Sequence, residues 1–399
     1  MGVENLLLDN VPVEKALAMY LAALSPHWTR DCEEICVVDS LDRVTAAAIS
    51  ARINSPLYDA AAMDGIAVVS ARTQGAGEEM PITLCKGADF IAVDTGDPVQ
   101  APFDSVIMAE HVEELADGRV RIRNPAAPGK HVRPMGEDIA RGNRILSPQH
   151  RIRPVDIGGL LSGGITNIDV LRRPAVAIFP TGTELVEPGC KLKMGDIIES
   201  NSRVFVGLVT EGGGIPSRFP PIIDDFGTIK REIERAAAAF DMVLINAGSS
   251  AGREDYTVHV LRELGEVVVH GVAMKPGRPV ILAIISGKPV IGLPGYPVAA
   301  YLGYQNFAAP VLAGLAGRRQ PDREMIRAVI TDSLESAPAV REYVRVTLKR
   351  DGDKLMASPL MRGAGSMLSL VQADGFCILD RGSAGVEAGR EVDIWSYPV

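Results

Sequence analysis

The stretch Ala175-Val176-Ala177-Ile178-Phe179-Pro180-Thr181-Gly182-Thr183-Glu184-Leu185 decides the fold. It opens on an uninterrupted apolar run, the pattern of a strand covered on both faces. After Pro180 a Thr-Gly-Thr-Glu loop leaves the strand at its carboxyl end, where open α/β sheets bind ligands. The alternation then repeats as far as about Gly317. A helix runs through Val204, Leu208 and Val209, and Ile229–Phe240 is helical with an alanine-rich end. Met242–Asn246 reads as a second buried strand and Tyr256–Leu264 as a helix. Ile281–Ile285 and Val290–Leu293 are strand-like, and Pro297 opens a long apolar helix. Strands alternating with helices predict a central parallel-sheet α/β sandwich domain over 174–318, with right-handed crossovers.

Away from this centre the period changes. Val13, Ala16, Leu17, Tyr20, Leu21 and Leu24 recur at helical spacing behind Pro12, predicting an amphipathic helix. Short β runs at Ile66–Val69, Ile82–Cys85, Val106–Ala109 and Val120–Arg123, separated by Gly and Pro clusters, predict an inserted small β domain over 45–140. Helical pieces and Gly pairs return over 141–173, which groups with 1–44 as a discontinuous N-terminal/linker domain. The runs Ile326–Ile330, Tyr343–Leu348, Phe376–Leu379 and Val392–Trp395 predict a C-terminal β-barrel over 319–399. The fold class is multidomain α/β, with two smaller β domains beside the central one.

Composition narrows the function. The 399 residues are 47% apolar and 23% charged, a globular balance. A net charge of −9 argues against a general nucleic-acid binder, which needs a basic face, but leaves room for a small anionic substrate. No apolar run approaches the roughly 20 residues that span a bilayer. The stretch MGVENLLLDN lacks the basic and apolar regions of a signal peptide, so the expectation is a cytoplasmic protein without membrane partners. Cys32, Cys36, Cys85, Cys190 and Cys377 are scattered and complete no zinc site, which suits reduced structural thiols.

Chemistry concentrates in loops. Asp59-Ala60-Ala61-Ala62-Met63-Asp64-Gly65 brings a carboxylate to the mouth of a strand through an Asp-Gly turn. Asn246-Ala247-Gly248-Ser249-Ser250-Ala251-Gly252-Arg253-Glu254-Asp255 runs into a helix, and its small residues let backbone N–H groups approach an anion. Its spacing is neither that of a P-loop nor that of a dinucleotide fingerprint. Gly292-Leu293-Pro294-Gly295-Tyr296-Pro297 also leads into a helix. Met274-Lys275-Pro276-Gly277-Arg278-Pro279 holds two cations on a proline-stiffened backbone, an anion clamp. A full charge at 4 Å contributes roughly 4 kcal/mol at an effective dielectric of 20. A helix end contributes about 0.3–1 kcal/mol. Loop carboxylates Asp64, Asp138, Glu184, Asp224, Asp225 and Asp255 would suit Mg²⁺, which takes a few carboxylates together with phosphate oxygens.

Taken in order, these motifs resemble the molybdopterin molybdenumtransferase family, which inserts molybdate into molybdopterin and shares its fold with the C-terminal region of gephyrin. The matching residues are Ala62–Gly65, Thr95-Gly96, Met135–Ile139, Thr181–Leu185, Gly252 through Asp255-Tyr256, Lys275–Pro279 and Gly292–Val298. The resemblance implies an elongated homodimer, with the active site between the central domain of one subunit and the small β domain of the other. It implies a Mg²⁺-dependent reaction in which adenylylated molybdopterin and molybdate give molybdenum cofactor and AMP. By the same resemblance Asp64, Asp138, Glu184, Asp225 and Asp255 are the metal and hydrolysis residues, with Asp64, Glu184, Asp225 and Asp255 as metal ligands. Lys275 and Arg278 become the molybdate clamp, beside Pro294, Pro297 and Ser366. Thr95, Gly96, Thr181, Gly248, Ser249, Ser250 and Gly252 bind the pterin phosphate or adenylate. The dithiolene sulfurs belong to the pterin, so no cysteine is required.

The chain departs from the family pattern in three places. Asn246-Ala247-Gly248 stands where Ser-Gly-Gly is usual, Tyr296 where Asn is usual, and Arg278 where a second Lys is common. These changes leave molybdate against tungstate open. Two other readings compete: adenylylation of molybdopterin, performed by a partner adenylyltransferase that the central domain resembles, and a non-catalytic scaffold or sensor. The two β domains and Met63-Asp64-Gly65 argue against the first, and the retained loop carboxylates against the second.

Overall fold

The alternation that begins at Ala175 is realised as a six-stranded sheet. The computed structural model describes residues 9–247, 256–319 and 324–397. They divide into a large unit, Met1–Asp31 with Arg172–Val399, and a small unit, Cys32–Leu171.

The large unit contains α1 (Val13–Leu24), β1 (Ala175–Pro180), α2 (Asn201–Glu211), β2 (Ile215–Arg218), α3 (Phe226–Ala239) and β3 (Met242–Ala247). It continues through α4 (Thr257–Leu264), β4 (Glu266–His270), β5 (Met274–Lys275), β6 (Ile281–Ile285) and β7 (Lys288–Pro294). The sheet order is β2-β1-β3-β7-β6-β4. Strands β2, β1, β3 and β7 run parallel, as expected. Strand β6 runs against both β7 and β4, so the sheet is mixed. The cause is local. Ser286 and Gly287 take φ of 51° and 76°, the two-residue turn that joins adjacent antiparallel strands.

Both faces of the sheet are covered, which explains the unbroken apolar runs. Successive side chains of a strand point to opposite faces. Val176, Ile178, Met242, Leu244, Leu282 and Ile291 pack with Phe205 and Val209 of α2 and with Leu302 and Phe307. Ala177, Phe179, Val243, Ile245 and Ile281 pack with Ile229, Ile233 and Leu261. Helix α1 joins the first of these cores through Val13, Ala16, Tyr20 and Leu24. Buried Tyr20 donates its hydroxyl to Ala283 O at 2.7 Å. This apolar stripe, grouped by sequence with 141–173, is therefore satisfied by the central sheet. The finer four-part division of the chain remains a proposal from sequence.

After β7 come α5 (Pro297–Gly303), a π-helical turn and α6 (Ala309–Leu315). The C-terminal region adds β8 (Met325–Ile330), β9 (Arg341–Asp351), β10 (Lys354–Pro359), α7 (Met367–Gln372), β11 (Gly375–Leu379) and β12 (Glu391–Ser396). Pairing runs β9-β10-β8-β12-β11 and back to β9, a closed five-strand barrel. Ile330, Val344, Val346, Ala357, Cys377 and Ile394 are packed together in its core. Strand β10 escaped sequence reading because Lys-Leu-Met-Ala-Ser-Pro has no β-branched residue. Closure of the barrel recruits it, since an unpaired edge would leave backbone groups exposed.

In the small unit Gly65–Val68 lies between Phe90–Val93 and Ser105–Met108. Val120–Ile122 lies between Ile82–Leu84 and Val112–Glu114. Four of these six are the β runs expected of the 45–140 region, and Phe90–Val93 and Val112–Glu114 are additional. Cys32–Cys36 pairs with Asn167–Leu171, and Pro154–Ser162 forms a helix. Among the described residues no helix is long and apolar enough to cross a membrane.

Candidate active site

Two asparagines lock the strand ends of the large unit together. Asn246, at the end of β3, donates from Nδ2 to Pro294 O at 2.7 Å. Asn201, the first residue of α2, donates from Nδ2 to Asn246 Oδ1 at 3.0 Å and to Gly295 O at 2.7 Å. Thr181 N donates to Asn246 O at 2.9 Å. The carboxyl ends of β1, β3 and β7 thus share one hydrogen-bond network. Asn201 is placed in turn by Glu199, which is only 2% exposed. The Glu199 carboxylate accepts from Ser202 N at 2.8 Å, from Ser202 Oγ at 2.5 Å and from Arg218 at 3.0 Å. A carboxylate removed from water needs such partners, because its hydration is lost.

Cations collect on the neighbouring segment. Strand β5 pairs in parallel with the start of β9, setting Lys275 opposite Glu342. Lys275 Nζ lies 3.3 Å from Glu342 Oε1, and Arg362 donates to the same oxygen at 2.5 Å. Glu342 is buried, whereas the Lys275 side chain remains 58% exposed. Arg345, 1% exposed, donates to Met361 O at 2.6 Å and to Gly363 O at 3.0 Å. Burial disfavours its charged form, so these carbonyls compensate it. The same segment reaches the strand-end loops, because Val298 N donates to Ala364 O at 3.0 Å. Arg278 is exposed, and its carbonyl accepts from Val272 N at 2.8 Å and Val280 N at 3.0 Å.

The small unit carries an acidic edge. Asp64 Oδ1 accepts from Thr95 N at 2.6 Å and Thr95 Oγ1 at 2.7 Å. These bonds hold the Asp64 carboxyl below the ordinary carboxylate range, the hydroxyl contributing most. Thr95 therefore positions Asp64. Gly96 N donates to Ala61 O at 2.8 Å, Met135 N to Asp59 Oδ1 at 2.7 Å, and Asp138 N to Ser55 O at 3.1 Å. Residues 55–61 thus carry the Thr95-Gly96 and Met135–Asp138 turns, with Asp64 and Asp138 exposed. Thr95→Val is expected to raise the Asp64 pKa toward its ordinary value, measured by carboxyl-carbon NMR titration. A depressed pKa stabilises the fold above the unfolded value, and that contribution fades as pH falls through the folded one. The substitution moves that loss to higher pH.

Other expected residues take more local roles. Asp225 caps α3, accepting from Thr228 N at 2.8 Å, which lowers its pKa. Glu184 is exposed, and its carboxylate curls beside Gly182, where a β-carbon would meet the oxygens at 2.8 and 2.9 Å. Pro294 ends β7 and Pro297 opens α5, while the Ser366 carbonyl accepts from Ser369 Oγ at 2.6 Å. Gly248, Ser249, Ser250, Gly252 and Asp255 lie outside the described residues. Among the described residues no three His, Cys, Asp or Glu side chains gather as they would around a metal ion. Asp64 belongs to the small unit, and Glu184 and Asp225 to the large one. Glu184 and Asp225 stand in no such cluster among the described residues. Sequence reading missed Glu199, Asn201, Arg218, Glu342, Arg345 and Arg362. A signal existed for Arg345, a charge inside the apolar run Tyr343-Val344-Arg345-Val346.

Comparison with known proteins agrees in order along the chain. Residues 11–164 match the MoeA N-terminal region (domain I and II), 177–314 the probable molybdopterin binding domain, and 327–397 the MoeA C-terminal region (domain IV). Molybdopterin molybdenumtransferase 2 of Mycobacterium tuberculosis is 30% identical over 92% of this chain and 96% of its own length. Molybdopterin molybdenumtransferase of Bacillus subtilis is 27% identical over 96% and 93%. The crystal structure of a molybdopterin biosynthesis MoeA protein from Pyrococcus horikoshii superposes with a TM-score of 0.84 at 32% identity, covering 97% of this chain and 99% of that one.

Proposed function

Because this chain belongs to the molybdopterin molybdenumtransferase family, transferases of molybdenum cofactor biosynthesis, we propose that it inserts molybdate into adenylylated molybdopterin with release of AMP. The observation that carries this reading is the Lys275–Glu342–Arg362 cluster, joined through residues 361–365 to the strand-end loops. Glu342 anchors the Lys275 ammonium on one side, and its exposed side remains available to a tetrahedral dianion. Arg278, on the same loop, adds a planar fork that binds oxyanions in a way a lysine does not. Thr181, with the Gly248–Gly252 loop, would hold the phosphates, and Asp64 and Asp138 would act on water during cleavage of the anhydride. Catalysis of this kind rests on positioning and charge neutralisation.

The proposed reaction uses Mg²⁺ and a homodimer. The test is AMP release from adenylylated molybdopterin by the purified protein with and without Mg²⁺, titrating molybdate against tungstate. Release stimulated by molybdate supports the reading, and release stimulated only by tungstate corrects the metal. No release with either oxyanion, from a folded dimer, overturns it.

A further inference from the structure

Tyr296 is an exposed aromatic residue on the loop between β7 and α5. The residue is 67% exposed, yet the backbone around it is held by hydrogen bonds. Pro294 O accepts from Asn246 at 2.7 Å and Gly295 O from Asn201 at 2.7 Å. Tyr296 O accepts from Ala300 N at 2.8 Å, and Val298 N donates to Ala364 O at 3.0 Å. The ring has a seat. A β-carbon on Gly365 would lie 3.3 Å from Tyr296 Cδ1 and 3.5 Å from Cε1, so the absence of a side chain there lets the phenol rest on the 363–366 segment.

Leaving a large aromatic surface in water is unfavourable, since apolar area gains free energy on burial. A ring carried on a backbone held in this way binds with less ordering entropy lost than one on a free loop. Aromatic faces stack on planar heterocycles of any sequence or substitution, because the interaction uses the π-surface. Resting on the proposed reaction, we infer that Tyr296 is the stacking platform for a fused nitrogen heterocycle of the substrate, and so a specificity-determining residue of this site. Pterin and adenine share that chemistry.

The experiment titrates the unsubstituted protein, Tyr296→Ala, Tyr296→Phe and Gly365→Val with two probes, free 6-hydroxymethylpterin and AMP. Pterin binding is read by fluorescence quenching and AMP binding by calorimetry. Tyr296→Ala is expected to weaken one of the two by about tenfold, within the range seen when a stacking ring is removed. The affected probe names the ring that stacks. Tyr296→Phe is expected to bind within about twofold of the unsubstituted protein, because it keeps the π-face. Gly365→Val, which unseats the ring without removing it, is expected to fall in the direction of Tyr296→Ala. Undiminished binding of both probes by a folded Tyr296→Ala protein overturns the inference alone. Binding of neither probe by the unsubstituted protein overturns both the inference and the reaction on which it rests.

Discussion

Alanine in place of Lys275 is expected to lower molybdate-stimulated AMP release about a hundredfold at limiting molybdate, with partial recovery as molybdate is raised. A unit charge at 4 Å contributes roughly 4 kcal/mol at an effective dielectric of 20. The Lys275 side chain is 58% exposed, so water screens part of this. Discounting to about 2.7 kcal/mol gives a factor of about 100 in rate or affinity. The effect should appear in the molybdate concentration for half-maximal rate more than in the plateau, since the charge acts on binding the oxyanion. Glu342 keeps Arg362 as a partner, so the barrel should remain folded. A molybdate titration unchanged by Lys275→Ala would show that this cation is no clamp.

The largest expected effect on stability comes from Arg218→Met. Arg218 donates to both Glu199 and Glu187, and the Glu199 side chain is 1% exposed. Removing the arginine leaves a buried carboxylate with only the Ser202 hydrogen bonds, at a cost of about 3 kcal/mol. The double variant Glu199→Gln with Arg218→Met removes the stranded charge while the amide oxygen still accepts from Ser202 N. It is expected to regain more than half of the loss in urea unfolding. Equal destabilisation of the single and double variants would mean that packing, and not the unpaired charge, sets the cost. Asn201 sits at the start of the helix that this network anchors, so Arg218→Met should also reduce turnover in whatever fraction remains folded.

Much of the architecture was legible because it depends on local pattern. Unbroken apolar runs at Ala175–Phe179 and Met242–Asn246 announced strands covered on both faces, and helical periodicity behind Pro12 announced α1. The reversal of β6 hung on Ser286 and Gly287, whose positive φ values a strand-by-strand reading does not weigh. Of the site, sequence brought out the Gly- and Pro-rich loops, since such residues mark turns at strand ends. It offered Asp225 as a ligand, and the structure adds that this carboxylate caps α3 by accepting from Thr228 N.

Sequence by itself determined the fold class, the order of strand and helix and the loops on which chemistry is carried, because these follow from side-chain periodicity and turn residues a few positions apart. Only the tertiary structure decided which distant groups meet. Glu342 takes Lys275 from one loop and Arg362 from another, Asn201 joins Asn246 to Gly295, and Tyr296 rests on Gly365. Each partnership spans long stretches of chain, and the free energy of a hydrogen bond or ion pair depends on a burial that no local pattern contains. That is why the residues holding the site together became visible only after the sheet and barrel had closed around them.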